Sequence, residues 1–348
     1  MAETEPLLGT GIGQTETLAR EPNAVVDFDP NGDLENPLDW PKAFKWGIVA
    51  LLAFMAFTVT FTCISIVPIA SAIVADLSDG EGSKSASVLL VTIWEFGEAA
   101  GPLFIAPLSE IYGRYPVLNV ANILFIGTIV LSALCQSTTL FIVTRALTGV
   151  TVTSNVLNPA IVGDMFASDE RGTPMSIIAM APLIGGAVGP AISGAIAQSL
   201  GWRQVLWMSA ALATACEILF LTCFNETYKV PILKRRAARL RGETGDFSLR
   251  TAFDSDEEKK SRRMWESVMR PADVLFGSGV LLSLSLFGSV AFAYYYIMSV
   301  TLSDILQDIY KLSPALTGSS FMSFSVGSLI SIIICNLSLD RIYIKLRI

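Results

Sequence analysis

The sequence predicts an all-α membrane protein that crosses the bilayer several times, and three observations predict it. Of its 348 residues 52% are hydrophobic and only 16% are charged, with a mean hydropathy of +0.56, a balance foreign to water-soluble globules of this length. Eight apolar runs are each about long enough to cross a bilayer as a helix, roughly 20 residues. Basic residues also segregate. With the N-terminus in the cytosol, all but four of the 24 Lys and Arg are cytosolic; Lys84, Arg203 and Lys311 lie outside and Arg145 lies within a span. The inverted topology reverses that bias and is discarded.

Residues 1–45 are polar, carry Asn31-Gly and Asn36-Pro turn signals, and lack a basic segment leading into a short apolar core. They read as a disordered cytosolic tail rather than a signal peptide, so the first span acts as the insertion signal. Within the tail, Glu3-Thr-Glu-Pro-Leu-Leu8 has the form of an acidic dileucine sorting signal. If it is read, the destination is a vacuolar membrane; if it is plain tail, the plasma membrane is the expected location. Apolar runs at 46–74, 88–108, 117–136, 139–163, 173–198 and 203–224 build a six-helix unit over 46–224. In the fourth run Asn155 and Asn158-Pro159 are expected to interrupt the helix. A hydrophilic central loop follows over 225–272, with a basic stretch from Lys234 to Arg241 suited to the anionic inner leaflet. Runs at 273–302 and 314–336 then open a second unit, 273–348.

Composition also excludes function classes. The net charge of −7 is spread over the tail and loop ends rather than gathered in one patch, so no nucleic-acid partner is expected. All five cysteines fall inside apolar runs, where packing is the ordinary role, and the chain has no histidine. Glycine-rich phosphate loops, nucleophile elbows and metal-ligand clusters are absent from the sequence. No enzyme activity, metal or cofactor is therefore expected.

Between the second and third spans, Gly101-Pro-Leu-Phe-Ile-Ala-Pro-Leu-Ser-Glu-Ile-Tyr-Gly-Arg-Tyr-Pro116 combines a tight turn at Gly113, helix-stopping prolines at 107 and 116, and water-seeking charge at Glu110 and Arg114. This run resembles the corresponding loop of major facilitator superfamily transporters, and most of all the "GPLSEIYGRRP" form of fungal drug:proton antiporters. Asn36-Pro-Leu-Asp-Trp-Pro-Lys42, Gly201-Trp-Arg-Gln-Val-Leu-Trp207 and the stretch from Phe224 to Arg241 are similar to further motifs of those antiporters. Leu339-Asp340-Arg341 is a weaker echo of the first loop. The chain departs from the pattern at Ala106, Tyr115, Asn225 and Tyr343. The resemblance implies the major facilitator fold, with a complete first six-helix bundle and two helices of the second. That family needs twelve spans, so either a truncated, non-transporting product or a functional eight-span variant is expected.

In the fifth span, Ala181, Gly185, Gly189, Ser193 and Ala197 recur every four residues and offer a neighbouring helix a close approach, while Pro190 is expected to add a local bend. Such stripes also occur in plain helix packing. The run Gly185-Gly186-Ala-Val-Gly189-Pro190-Ala-Ile-Ser-Gly194 resembles the superfamily's antiporter signature, which implies export and speaks against the alternative of a nutrient symporter.

Charges within spans are costly and mark candidate sites. Glu95 and Glu98 lie one turn apart on one face near the midplane, and Glu217 lies in the inner half of span six. With no histidine, proton loading would fall to carboxylates: Glu98 and Glu95 first, then Glu217; static pairing is the alternative for each. Arg145, in Arg145-Ala-Leu-Thr-Gly149, resembles a family motif whose arginine is thought to influence proton transfer, and otherwise snorkels to the outer interface. Asn155, Phe292 and the run Tyr294-Tyr295-Tyr296 could complete a pocket, Tyr294 and Tyr295 foremost, the tyrosines otherwise forming an interfacial belt. Gly101, Pro102, Glu110, Gly113 and Arg114, with Asp340 and Arg341 in the second half, form the gating loops that the resemblance implies. The expected activity is proton-coupled export of small amphipathic or cationic compounds, such as drugs, polyamines or metabolites, by a monomer embedded in lipid.

Overall fold

In lipid every backbone polar group must find its partner within the protein, so apolar runs of this length close into helices. The computed structural model describes residues 25–78, 83–253 and 273–328, with single positions at 269, 271, 330, 331 and 334. Its helices are α1 (Lys42–Ile64), α2 (Ala70–Leu77), α3 (Lys84–Tyr112), α4 (Arg114–Leu134), α5 (Thr138–Val150), α6 (Ser154–Met165), α7 (Gly172–Leu200), α8 (Trp202–Cys223), α9 (Lys229–Thr244), α10 (Gly279–Asp304) and α11 (Pro314–Ser320). Seven helical stretches among the described residues are long and apolar enough to span a membrane. Six of them form the first bundle and the seventh runs from Gly279 through a π-helical turn to Ile309. The eighth run begins with α11 and is helical again over 322–328; its remainder lies largely outside the described residues, as do Asp340 and Arg341.

Two spans that hydropathy reads as continuous are broken. The first stops at Ile64, makes a 3-10 turn over Val67–Ile69 and resumes as α2. Pro68 cannot donate a backbone hydrogen bond there, and the Thr58, Thr62 and Ser65 hydroxyls bond back to carbonyls four residues earlier. The fourth breaks at 151–153, between α5 and α6, rather than at Asn155 or Asn158-Pro159. Pro159 sits inside α6, where its conflict falls on the Asn155 carbonyl in the first turn; the break lies upstream, in the β-branched run Val150-Thr-Val-Thr153 that favours helix least. Pro107 likewise lies within α3, which continues to Tyr112. Hydropathy cannot register such breaks, because the apolar character continues through them.

Within the first bundle α1 packs on α7, α3 on α5 and α4 on α8. Close approach of α3 and α5 depends on glycine from both sides. A Cβ on Gly97 would collide with the Ala146 carbonyl oxygen, and one on Gly149 with that of Trp94. Around this seam, Leu90, Trp94, Phe125, Phe141 and Val205 form an outer core cluster, and Leu52, Leu118, Leu157, Ile161 and Phe220 form an inner one.

The tail expected to be disordered over 1–45 is structured from Val25 onward, residues 1–24 lying outside the described set. Val25–Val26 pairs in parallel with Arg250–Thr251 of the central loop. Asp33 forms an ion pair with Arg236 on α9, and Glu35 accepts from Arg239 at 2.8 Å. Two of the basic side chains assigned to the lipid surface are thus occupied by the chain's own acids. The Arg236 hydrogen bond holds the Asp33 carboxyl below the ordinary carboxylate range.

Gly97→Ala is expected to destabilise the bundle by about 1–3 kcal/mol, seen as a lower thermal midpoint in detergent. Gly47→Ala, whose added Cβ meets open space, should leave that midpoint unchanged. For the strap, a depressed Asp33 pKa contributes docking stability at pH values above the unfolded value, 3.8, and that contribution is lost as pH falls through the lower folded value. Hydrogen exchange of residues 25–40 should therefore stay protected from pH 7 to pH 5 and lose protection below about pH 4. Arg236→Ala should remove the pH-sensitive part of that protection.

Candidate functional site

Gly97 and Gly101 turn one face of α3 onto α5, and the neighbouring face carries Glu95 and Glu98 into a cavity of about 500 Å³. The cavity lies between α1, α3, α6 and α7 of the first bundle, with α10 and residues 321–328 closing it from the second. Its polar end holds Glu95, Glu98, Ser154 and Asn155; Phe292, Tyr295, Tyr296 and Phe324 supply an aromatic wall.

The two carboxylates have different partners. Glu98 accepts from the Trp94 indole N–H at 2.6 Å and from the Asn155 amide, both within the first bundle. Glu95 accepts from the Tyr296 hydroxyl on α10, and the Cys63 thiol lies 3.7 Å away. Behind them Arg145 is 2% exposed rather than snorkelled, with its guanidinium carbon 4.4 Å from the Trp94 ring centroid. It donates to the Cys63 carbonyl at 3.1 Å and to the Thr62 carbonyl at 3.4 Å, where α1 ends and carbonyls lack helical partners. Arg145, Trp94, Glu98 and Asn155 form one continuous polar chain through the bundle.

Other candidates lie elsewhere. Glu217 is buried at the α4–α8 seam, where Asn122 donates to it at 2.8 Å, outside the cavity. Tyr294 is 69% exposed and faces away from the cavity, a consequence of helical geometry that separates it from Tyr295 by about 100°. Gly186 lines the cavity, while Gly185 and Gly189 of the small-residue stripe meet α1 at Phe57 and Phe61. Gly194 faces α11: a Cβ there would strike the Pro314 carbonyl, and one on Gly318 would strike that of Pro190. Pro190 sits within continuous α7. Among the described residues no group of His, Cys, Asp or Glu is placed to hold a metal ion.

A second polar cluster lies where α3 turns into α4, at the end of the bundle that meets the Val25–Trp40 strap and α9. Gly113 (φ 102°) makes the turn from α3 to α4, with a Cβ-sized space beside it taken by the Glu226 carboxylate. That carboxylate accepts from the backbone N–H groups of Arg114 (2.9 Å), Tyr115 (3.2 Å) and Tyr228 (3.0 Å), so it caps the positive end of α4. Arg114 reaches Ser109 at 2.5 Å and Asp164 at 3.3 Å and lies over the Tyr228 ring. Thr227 also donates to Asp164, at 3.3 Å. Gly113 and Arg114 are therefore joined by Asp164 and Glu226, whereas Glu110 is exposed and stands outside the cluster. Pro102 is half-buried in α3, and Gly101 abuts Val150.

Sequence reasoning placed Tyr296 among the pocket rings but not as the partner of Glu95, and it missed Trp94, Asn122 and Asp164. Only Trp94 left a local sign, its four-residue spacing from Glu98; the others meet their partners across 50 to 201 positions.

Membrane-length helices around a central cavity, with polar and aromatic walls from two bundles, define a polytopic membrane protein of transporter architecture. The chain belongs to the Major Facilitator Superfamily, whose family model matches residues 48–348. It is 32% identical over 316 residues to an efflux pump, radE, of Floropilus chiversii, covering 90% of this chain and 58% of that protein. It is 32% identical over 331 residues to the MFS-type transporter penM of Penicillium rubens, covering 95% and 64% respectively. The chain thus spans roughly three-fifths of the length of these relatives. Among solved structures, it resembles a bacterial homologue of the human lysosomal transporter Spinster, described as inward-facing and occupied. That match has TM-score 0.63 and 14% identity, over 87% of this chain and 63% of that one. It also resembles a D-xylose-proton symporter (TM-score 0.60, 16% identity, 86% and 70%). At such identities these two likenesses concern the fold.

Proposed function

We propose that this protein is a proton-coupled exporter of small amphipathic or cationic compounds, working by alternating access to the cavity between its bundles. The observation that carries the reading is the meeting of Glu95 and Glu98 with an aromatic wall in one cavity of a chain without histidine. Carboxylates at that depth can carry protons, and the rings suit an apolar or cationic solute. Relatives named as an efflux pump and MFS-type transporters support transport, and the name of the former supports its outward direction.

Polar contacts between the bundles support access from the cytosol. Lys84 pairs with Asp308 at 2.9 Å, and Gln307 donates to the Pro68 carbonyl at 2.7 Å. Ser325 donates to the Leu183 carbonyl at 3.0 Å. The first two lie on the outer side of the cavity and the third at its depth. In this reading Arg114, Asp164 and Glu226 form the cytosolic latch, and the close seams at Gly185 and Gly194 let α7 pack against both bundles as they rock. The protein acts in the plasma membrane, with protons and a small organic solute as its partners.

The test is flux of rhodamine 6G, a fluorescent amphipathic cation, in vesicles holding the purified chain under an imposed pH gradient. Dye movement should follow the gradient, and replacing both Glu95 and Glu98 by Gln should lower the gradient-driven rate at least about tenfold, the scale of one lost charge-assisted interaction. An undiminished rate in that variant would remove the carboxylates from the mechanism.

A further inference from the structure

Glu95 and Glu98 share a cavity, yet only one of them is bonded across the bundle interface. Glu98 is held by Trp94 on its own helix and by Asn155 on α6, and Trp94 is itself buried between Arg145 and Phe125. Both partners belong to the first bundle, so their bonds survive any movement of the second. Glu95 takes its hydroxyl donor from Tyr296, on α10. When α10 moves away from α3, that donor leaves with it.

We propose that Tyr296 couples the state of Glu95 to the position of the second bundle, Glu95 being the carboxylate that exchanges partners and Glu98 the one that stays fixed. The inference rests on the proton-driven reading above and assigns the labour within it. With Glu95 ionised, the Tyr296 hydroxyl donates a charge-assisted hydrogen bond that holds α10 against α3. When a proton from solvent adds to a Glu95 oxygen, the acceptor becomes neutral and the bond loses roughly half its strength. The phenol keeps its own proton throughout; in the export direction Glu95 takes up a proton from the exterior once the solute has left and loses it to the cytosol after the bundles have returned, when the Tyr296 bond re-forms. A solute cation seated against Glu95 competes for the same oxygen lone pairs, so proton and solute each displace Tyr296.

The surroundings favour Glu95 for this role. Charged and titratable groups facing it are Glu98 on its own helix, Arg145 from α5, Cys63 from α1, and Tyr295 and Tyr296 from α10. Of these, Arg145 is anchored to the Thr62 and Cys63 carbonyls and cannot follow α10. Tyr295 packs edge-on against Tyr296 at 5.3 Å and against Phe324 at 5.9 Å, which fixes the phenol's approach to Glu95. Coupling of this kind needs one acceptor and a donor that departs with the moving part; Glu95 and Tyr296 supply both.

Spin labels at Ser85 and Ile309, beside the Lys84–Asp308 pair, would read the separation of the bundles' outer ends in the purified chain with Cys223 and Cys335 changed to Ser. Acidification from pH 8 to pH 4.5 should move wild-type molecules toward longer distances. Tyr296→Phe should raise the long-distance population about tenfold already at pH 8 and abolish the pH response. Glu95→Gln should do the same, with no further change in the double variant, whereas Glu98→Gln should keep a pH response. Tyr294→Phe, altered on the exposed side of the same helix, should match wild type. A pH response of wild-type size in Tyr296→Phe overturns the inference even where rhodamine flux remains gradient-driven. Wild-type flux indifferent to the gradient overturns the proton-driven reading and the inference together.

Discussion

A buried guanidinium with few places to go organises the centre of this molecule. Arg145 lies far enough inside the first bundle that its charge must be balanced by what the fold supplies, since isolated charge in a low-dielectric interior is costly. Its solution uses three elements. The carbonyls of Thr62 and Cys63 are available because α1 stops at Ile64; the Trp94 face is available because α3 approaches α5 across Gly97 and Gly149; and Trp94, once fixed, directs its N–H at Glu98. The break in the first span, the glycine seam and the orientation of a cavity carboxylate are consequences of one another. Removing any one of them strands a polar group in the bundle.

Helix α7 has a complementary role. One stretch of it meets α1 through Gly185 and Gly189, and a later stretch meets α11 through Gly194 and Gly318, while Gly186 between the two faces the cavity. One helix therefore touches both bundles at backbone distance. Close seams of this kind are held by dispersion rather than by directional bonds, so helices can slide along them without leaving a hydrogen bond unmade. One directional contact between the bundles, Ser325 to the Leu183 carbonyl, falls on α7; others lie at Glu95, Pro68 and Lys84.

What could be read from the sequence follows from the range of each interaction. Apolar length and the bias of Lys and Arg depend on neighbours within a span or loop, and they located seven spans in the order now seen. Helix breaks depend on single backbone bonds inside uniformly apolar segments, so the one at 65–69 left no sign and the one at 151–153 is expected a few positions late, at Asn155 and Asn158-Pro159. The strap from Val25 to Trp40 was unreadable for a related reason: its polarity and lack of periodicity are those of a disordered segment. Its order comes from Asp33 and Glu35 meeting Arg236 and Arg239 some 200 positions away. Of the acids, Glu95 and Glu98 were found because helical spacing puts them on one face. Glu217 has the same composition-level signature and sits at a different seam, with Asn122.

The Arg114–Asp164–Glu226 cluster and the central cavity are joined through helices α3 and α6. Helix α3 carries Glu95 and Glu98 at mid-depth and ends at Gly113, where Glu226 caps α4 and Arg114 reaches Asp164 at the end of α6. Helix α6 begins with Ser154 and Asn155 at the cavity, and Asn155 bonds Glu98. Two helices therefore run from the same carboxylate to the same ionic cluster, forming a closed frame with polar clasps at both ends. A frame of that kind resists shear between α3 and α6. Glu95, on the outer side of that frame, has its hydroxyl donor on α10, which belongs to no part of the frame. In the proposed cycle a first bundle stiffened in this way keeps its own shape from the cavity to the Gly113 turn, and the interface with α10 and α11 is the place where movement is taken up.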